Sequence, residues 1–167
     1  YLDFFKGISP AQMLAFSTSS SAATLPVTME RCEDHLGVSK EVSSFVLPLG
    51  ATINMDGTSL YQAVGAVFIA QAYGIPLDLP AQLTIVLTAT LASIGAAAVP
   101  GAGMVMLVIV LGAIGVPVEG LALIFGVDRI LDMMRTVVNV TGDATVATVV
   151  AATEGQLSQV SDAELMS

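Results

Sequence analysis

Residues 126–144 read GVDRILDMMRTVVNVTGDA, and five of them could do chemistry: Asp128, Asp132, Arg135, Asn139 and Asp143. Their spacing, in steps of 4, 3, 4 and 4, puts all five on one narrow helical face at about 100° per residue. The residues between them, Ile130, Leu131, Met134, Val137 and Val138, are apolar. A helix in water shows the reverse, a narrow apolar stripe on a polar cylinder. Acids, a guanidinium and a carboxamide on one seam can clamp a zwitterion that carries an extra carboxylate. A packing network between helices is the plainer reading, but intramembrane Asp and Arg cost enough that a functional site is the default. Asp128, near the helix entry, divides evenly between capping, ion pairing or snorkelling and ligand contact.

A second chemical stretch, GATINMDGTSL, occupies residues 50–60 in the middle of an apolar segment. Asn54, Asp56 and Gly57 are poor helix formers, and a straight membrane helix with a central Asp would cost about 3 kcal/mol. The expected arrangement is an unwound centre at Asn54–Asp56, where free carbonyls and Asp56 bind a cation. Met55 stands in that stretch and is the one methionine expected to do more than pack; Met104, Met106, Met133 and Met134 are read as packing.

The composition identifies the solvent. The chain is 54% hydrophobic and 11% charged, with a mean hydropathy of +0.83, and between Val42 and Val127 the only charged residues are Asp56, Asp78 and Glu119. Too little charge remains to coat a water-soluble bundle, so the expected class is a multi-pass protein of the cell membrane. A net charge of −9 argues against nucleic acid as a partner. The single Cys32 excludes a disulfide framework and shows no metal spacing, and both it and His35 are assigned to a loop. No nucleophile–base pair is visible, which argues against an enzyme. GAAAVPGAG resembles a phosphate loop superficially but has no Lys-Ser/Thr and no preceding strand. The acidic tail from Glu154 to Glu164 is expected to be solvated and partly disordered.

These residues must be positioned by elements too short to span simply. One apolar stretch runs from Leu2 to Phe16, breaks at Ser17-Thr18-Ser19-Ser20-Ser21, and resumes from Ala22 towards a polar loop at Glu30–Glu41. Another runs from Leu83 to Val99, breaks at Pro100-Gly101-Ala102-Gly103, and resumes from Met104 to Val116. Each arm is shorter than the roughly 20 residues a crossing needs, and Ser, Gly and Pro at the breaks cap and start helices. Both therefore read as re-entrant helical hairpins. The expected order is hairpin 1–41, broken helix 42–76, hairpin 80–116 and polar helix 117–152, followed by a tail at 153–167. It is an all-α membrane fold. Two interrupted segments converging near the midplane point to a secondary-transporter site; an ion channel is the alternative of a different class, although a channel would favour rings of like charge. The chain opens at Tyr1 within an apolar segment and is expected to be a piece of a larger protein.

SSSAATLPVT, GATINMDGT, ASIGAAAVPGAG and DRILDMMRTVVNVTGDA resemble the four signature regions of the dicarboxylate/amino acid:cation symporters, the glutamate transporter family, in the family's order over roughly residues 1–155. The resemblance implies the C-terminal part of the family's transport domain, a homotrimer in the full-length protein, and uptake of L-aspartate or L-glutamate with sodium by alternating access. It implies that Asp132 receives the amino group, Arg135 the side-chain carboxylate and Asn139 the α-carboxylate, with Thr136 beside it and Thr58 flanking the pocket. Ser20 and Ser21 at the first tip, and Val99 and Gly103 at the second, would contribute mostly backbone groups. For sodium it implies one site of Asp143 with carbonyls of Gly50, Asn54 and Asn139. A second would use carbonyls of Thr52, Ser93, Ile94 and Ala96. A third would use Asp56 and the Asn54 side chain, completed by a helix outside this chain.

The departures from the resemblance bear on coupling. Archaeal relatives carry Arg where Ser19 stands and animal ones carry Arg where Met133 stands; this chain has Arg129 instead. Gln62 replaces a Glu that the resemblance links to proton and potassium movement, and Ala22 stands where a third Ser is expected. Asp132 separates the chain from the C4-dicarboxylate branch, which lacks an acid there. Asp143 separates it from proton-coupled bacterial relatives, which tend to have Asn. Sodium coupling without potassium counter-transport is the expectation, and a proton-coupled symporter of glutamate, aspartate or a dicarboxylate is the alternative.

Overall fold

A computed structural model describes residues 2–158. Their regular structure consists of helices and one isolated bridge between Val38 and Leu157. The helices are α1 (Leu2–Thr18), α2 (Ser21–Leu36), α3 (Lys40–Ile53), α4 (Asp56–Ala72), α5 (Leu79–Ile94), α6 (Ala102–Ala113) and α7 (Phe125–Thr153), with a 3-10 turn at Val118–Leu123 before α7.

Local chemistry accounts for each interruption. Ser20 caps α2 by accepting from the Ala23 amide, and α2 ends at Gly37 in the left-handed region, φ 72°. Ser39 caps α3 and Asp78 caps α5 in the same way, through the amides of Val42 and Ala81. Asn54 and Met55 alone separate α3 from α4, so the unwound centre expected at Asn54–Asp56 is one residue shorter, and Asp56 begins α4. Gly101, at φ 79°, starts α6.

Several sequence expectations shift. The first break narrows to Ser19–Ser20, because α1 continues through Ser17 and Thr18. The second opens earlier than Pro100: α5 ends at Ile94 and residues 95–101 form the connection, since a run of Gly and Ala lacks the side-chain contacts to hold a final turn. The polar loop expected at Glu30–Glu41 is helical as far as Leu36. Cys32 and His35 are therefore helical, not loop residues, and both are buried because α2 turns that face inward. The start of the tail is held: the Ser39 amide donates to Gln156 O at 3.2 Å and the Ser158 amide to Gly37 O at 2.8 Å. The rest of the acidic tail lies outside the described residues.

Packing centres on α7, which touches α1, α2, α3 and α4, while α4 also packs on α5 and α6. Around the start of α7, Ile69, Leu107, Val110, Leu111 and Ile124 form one apolar core. Around its end, Ile8, Leu47, Ala144, Ala147 and Ala151 form another. Along α7 between these cores lie Asp132, Arg135, Asn139 and Asp143, all buried. No helix among the described residues is long and apolar enough to cross a membrane. The shorter helices fall under the roughly 20 residues required, and α7, at 29 residues, carries its charged seam. Large apolar side chains nevertheless cover the outside, with Phe45 71% and Val105 69% exposed. A surface this apolar fits lipid or further protein better than water.

Candidate functional site

The unwound Asn54–Met55 step sits against the middle of α7. Gly57, on the first turn of α4, lies so close to the Arg135 carbonyl that a Cβ there would collide with it. This approach lets Asn139 Oδ1 accept from the Gly57 amide at 2.8 Å and the Thr58 amide at 3.3 Å, occupying N–H groups that a helix start leaves free. The amide of Asn139 donates to Thr58 Oγ1 at 3.2 Å and Met55 Sδ at 3.4 Å. Met55 is thus in contact with the site, as its position in the break suggested.

One turn earlier on α7, Arg135 Nε donates to Asp132 Oδ1 at 2.8 Å, its Nη2 lies 2.7 Å from the same oxygen, and Nη1 donates to Thr58 Oγ1 at 2.8 Å. Both charged groups are only 4% exposed. The second Asp132 oxygen accepts from the Gly101 amide at 3.0 Å, so the α5–α6 connection rests on the buried ion pair. That connection also meets the first tip: Ser20 Oγ donates to Ala98 O at 2.8 Å and the Ala22 amide reaches the same carbonyl at 3.4 Å. The two tips touch. A buried charge pair is retained at considerable desolvation cost, and a ligand with an ammonium and a carboxylate could exchange with each half of it.

A second cluster lies further along α7. Asn54 Nδ2 donates to Asp143 Oδ1 at 3.0 Å, and a Cβ on Gly50 would stand 2.6 Å from that oxygen. A Cβ on Gly142 would stand 2.8 Å from Asp56 Oδ2 and 3.3 Å from Asn54 Nδ2. Asp56, Asn54, Gly50 and Asp143 therefore converge, with glycine making room on both helices. Among the described residues no group of three His, Cys, Asp or Glu gathers as a metal site. Two carboxylates beside a carboxamide and helix-end carbonyls are a hard-oxygen set that suits an alkali cation.

The remaining expected residues are more scattered. Thr136 turns its hydroxyl onto the Asp132 carbonyl at 2.9 Å. Ser21 is buried in the first turn of α2, Val99 is half exposed, and Gly103 packs against the Tyr61 ring and the Arg135 stem. Ser93 is buried in the last turn of α5, Ala96 is buried in the connection that follows, and Ile94 is exposed; Thr52 is exposed and bonds Pro48 O at 3.0 Å. Asp128, evenly divided in the sequence, accepts from Tyr61 at 2.6 Å. Arg129 is exposed and reaches Ser17 O at 3.4 Å. Among the described residues, buried Gln62 finds no hydrogen-bond partner for either polar atom. Sequence reasoning missed Ala98, Gly101 and Tyr61. The first two act through backbone atoms that carry no sequence signal, whereas Tyr61, one turn after Thr58, was visible as a phenol on the site-facing side of α4.

Interrupted helices around a buried mixed-charge cluster, beside a group of oxygen donors and under an apolar exterior, define the class: a helical protein that encloses polar and charged side chains within an apolar body. The chain belongs to the sodium:dicarboxylate symporter family, whose model matches residues 1–153. It is 57% identical over 141 residues to excitatory amino acid transporter 2 of Mus musculus, covering 84% of this chain and 25% of the relative. An excitatory amino acid transporter of Caenorhabditis elegans is 55% identical over 141 residues, covering 84% of this chain and 28% of the relative. The proton/sodium-glutamate symport protein of Bacillus subtilis is 52% identical over 155 residues, covering 93% and 36%. The chain thus spans between a quarter and just over a third of the length of these relatives.

Proposed function

We propose that the chain carries most of the substrate and ion site of a secondary symporter that takes up L-aspartate or L-glutamate with sodium. The observation that carries this reading is the buried Asp132–Arg135–Thr58 cluster under the Gly101 amide. Asp132 takes the substrate ammonium, Arg135 the second carboxylate, and Asn139 the α-carboxylate, with Thr136 beside it. Ser20, Ser21, Val99 and Gly103 belong to the tips that enclose the substrate. Relatives named as excitatory amino acid transporters and as a glutamate symport protein support the substrate class.

Sodium is cargo in this scheme. Asp143 with Gly50, Asn54 and Asn139 forms one site, Thr52 with Ser93, Ile94 and Ala96 a second, and Asp56 with Asn54 contributes to a third. Helix pairs α1–α2 and α5–α6 enter the bilayer as re-entrant hairpins, α3–α4 is the broken helix, and the complete protein is a trimer in the cell membrane. The Bacillus subtilis relative is named for both protons and sodium, which keeps proton coupling as the second reading.

Full-length protein in liposomes tests both readings. Labelled aspartate uptake should follow an inward sodium gradient and need no internal potassium. Uptake that follows a proton gradient and ignores sodium would overturn the ion assignment. Uptake of neither acidic amino acid would overturn the substrate assignment.

A further inference from the structure

The connection between α2 and α3 is bonded to the chain just past α7. The Ser39 amide donates to Gln156 O at 3.2 Å and the Ser39 hydroxyl to Gln156 Oε1 at 2.5 Å. From the other side, the Ser158 amide and hydroxyl donate to Gly37 O at 2.8 and 3.0 Å. Val38 and Leu157 between them form an antiparallel bridge. This strap has no slack at either end. Ser39 is itself the N-cap of α3, accepting from the Val42 amide at 3.3 Å. Gln156 belongs to the cap of α7: Gly155 turns the chain at φ 66°, and the Gln156 amide donates to Ala151 O at 2.7 Å.

Followed inward, both helices lead from the strap to the cation cluster. α3 runs from Ser39 to Asn54, and α7 runs back from Gln156 to Asp143, where Asn54 Nδ2 meets Asp143 Oδ1 at 3.0 Å. The two paths are antiparallel and similar in length, on the order of 20 Å each at about 1.5 Å per helical residue. Between the pinned ends α7 carries an alanine ridge, Ala144, Ala147 and Ala151, fully buried in one core with Val42 and Leu47 of α3. Alanines make low ridges, so packing alone opposes sliding along the helix axes weakly. Register is left to the polar contacts at the two ends. It matters most at the inner end, where the position of a Cβ on Gly50 lies 2.6 Å from Asp143 Oδ1. A slip of one residue's rise, about 1.5 Å, carries Asp143 away from Asn54 and Gly50 together.

We propose that Ser39 and residues 156–158 are a positioning strap for the Asp143 cation site. Fastening the outer ends of α3 and α7 holds Gly50 and Asn54 level with Asp143, so the site is set before the ion arrives. The strap touches neither ion nor substrate. Its role rests on the functional reading above and adds a separate consequence: chain beyond the end of α7 tunes sodium affinity, while the Asp132–Arg135 cluster, earlier on α7, keeps its own partners.

The test uses full-length protein in liposomes, with labelled L-aspartate uptake measured across sodium concentrations and, at saturating sodium, across aspartate concentrations. Gln156→Leu combined with Ser158→Pro removes every strap bond except that from the Ser39 amide. It should raise the sodium concentration for half-maximal uptake about fivefold or more, and move half-maximal aspartate by less than about twofold. Ser158→Pro alone should raise the sodium value about twofold to threefold, and it decides the matter if the double variant fails to accumulate. The second measurement is rescue. The bonds from Ser39 N to Gln156 O and from Ser158 N to Gly37 O make Val38 and Leu157 a non-hydrogen-bonded pair. Cα atoms in such a pair stand about 4.5 Å apart, near enough for a disulfide. Val38→Cys with Leu157→Cys, added to the double variant and oxidised, should return the sodium dependence to within about twofold of wild type, and dithiothreitol should undo the rescue. A strap that serves stability alone lowers the melting temperature and leaves the sodium dependence unchanged. That result overturns the proposal, as does a formed cross-link that restores nothing, or a parallel loss for sodium and aspartate. Wild-type protein that takes up no aspartate, or takes it up without sodium, would overturn the functional reading itself. Normal sodium-driven wild-type uptake, with a wild-type sodium dependence in the double variant, sinks this proposal alone.

Discussion

Replacing Gly57 by Ala should damage the site more than any other single added methyl group. The new Cβ would overlap the Arg135 carbonyl oxygen and lie 3.0 Å from both the Arg135 carbonyl carbon and Val138 Cβ. Backbone cannot rotate away as a flexible side chain can, so α4 must withdraw from α7 by on the order of 1 Å to reach ordinary van der Waals separation. The Gly57 amide, now 2.8 Å from Asn139 Oδ1, would then stand at about 3.8 Å, beyond hydrogen-bonding distance. The longer Thr58 amide bond to the same oxygen, at 3.3 Å, fails sooner. Overpacking of this kind costs about 1–3 kcal/mol, and a buried acceptor stripped of its donors costs about 1–3 kcal/mol more. If half of that total, about 1–3 kcal/mol, falls on the binding-competent arrangement, aspartate affinity should drop by between about fivefold and 150-fold. Isothermal titration of aspartate into detergent-solubilised full-length protein at saturating sodium reads the affinity directly. A Gly57→Ala protein with wild-type affinity would mean that α4 and α7 are not in this contact when substrate binds, and would refute the geometry.

Three further outcomes follow from the same contacts. Arg135→Cys should leave Asp132 as an amino-group anchor while removing the partner for a second carboxylate, shifting uptake from aspartate towards serine or cysteine; competition assays check this. Asp143→Asn should keep the shape of the cluster but remove its charge, raising the sodium concentration for half-maximal uptake by tenfold or so, since one fully opposed charge is lost in a poorly solvated site; a sodium titration of uptake decides it. Ser20→Ala removes both the α2 cap and the bond to Ala98 O, at a cost of about 1 kcal/mol each. The tips should then part more often, seen as faster amide exchange at Ala22 and Ala23, and unchanged exchange would show that the tip contact contributes little.

Much of the architecture was legible because the same residues that break helices also do the chemistry. Asn54-Met55-Asp56 interrupts an apolar segment at the position where α3 gives way to α4, and the polar spacing of α7 correctly placed Asp132, Arg135, Asn139 and Asp143 on one buried face. Element boundaries were less legible. The end of α5 lies six residues before the Pro-Gly signal, for Gly95 to Ala98 offers no marker sharper than missing side chains. Cys32 and His35 were misplaced because a charged stretch, ERCEDH, reads as loop while its helical periodicity turns Cys32 and His35 inward together, three residues apart.

What no periodicity could supply was the partner of each polar group. Asp132 and Arg135 on one helix face are as compatible with two separate ligand contacts as with one ion pair, and spacing cannot choose between them. The choice comes from Gly101 and Thr58, which arrive from α6 and α4 and occupy the outer oxygen of the acid and the outer nitrogen of the guanidinium. Arg135 therefore meets one Asp132 oxygen through two nitrogens, and each charge has one further bond to a separate element. A ligand that replaces the inner bonds must present a cation and an anion together, and it acts on the outer bonds at the same time. Breaking the inner bonds would therefore disturb the α5–α6 connection through Gly101 and the first turn of α4 through Thr58. The two-residue step Asn54–Met55 directly precedes that turn, and Asn54 bonds Asp143 Oδ1, so the Asp132–Arg135 cluster and the Asp143 cluster are joined through it. This is a direct physical route by which filling one could alter the affinity of the other.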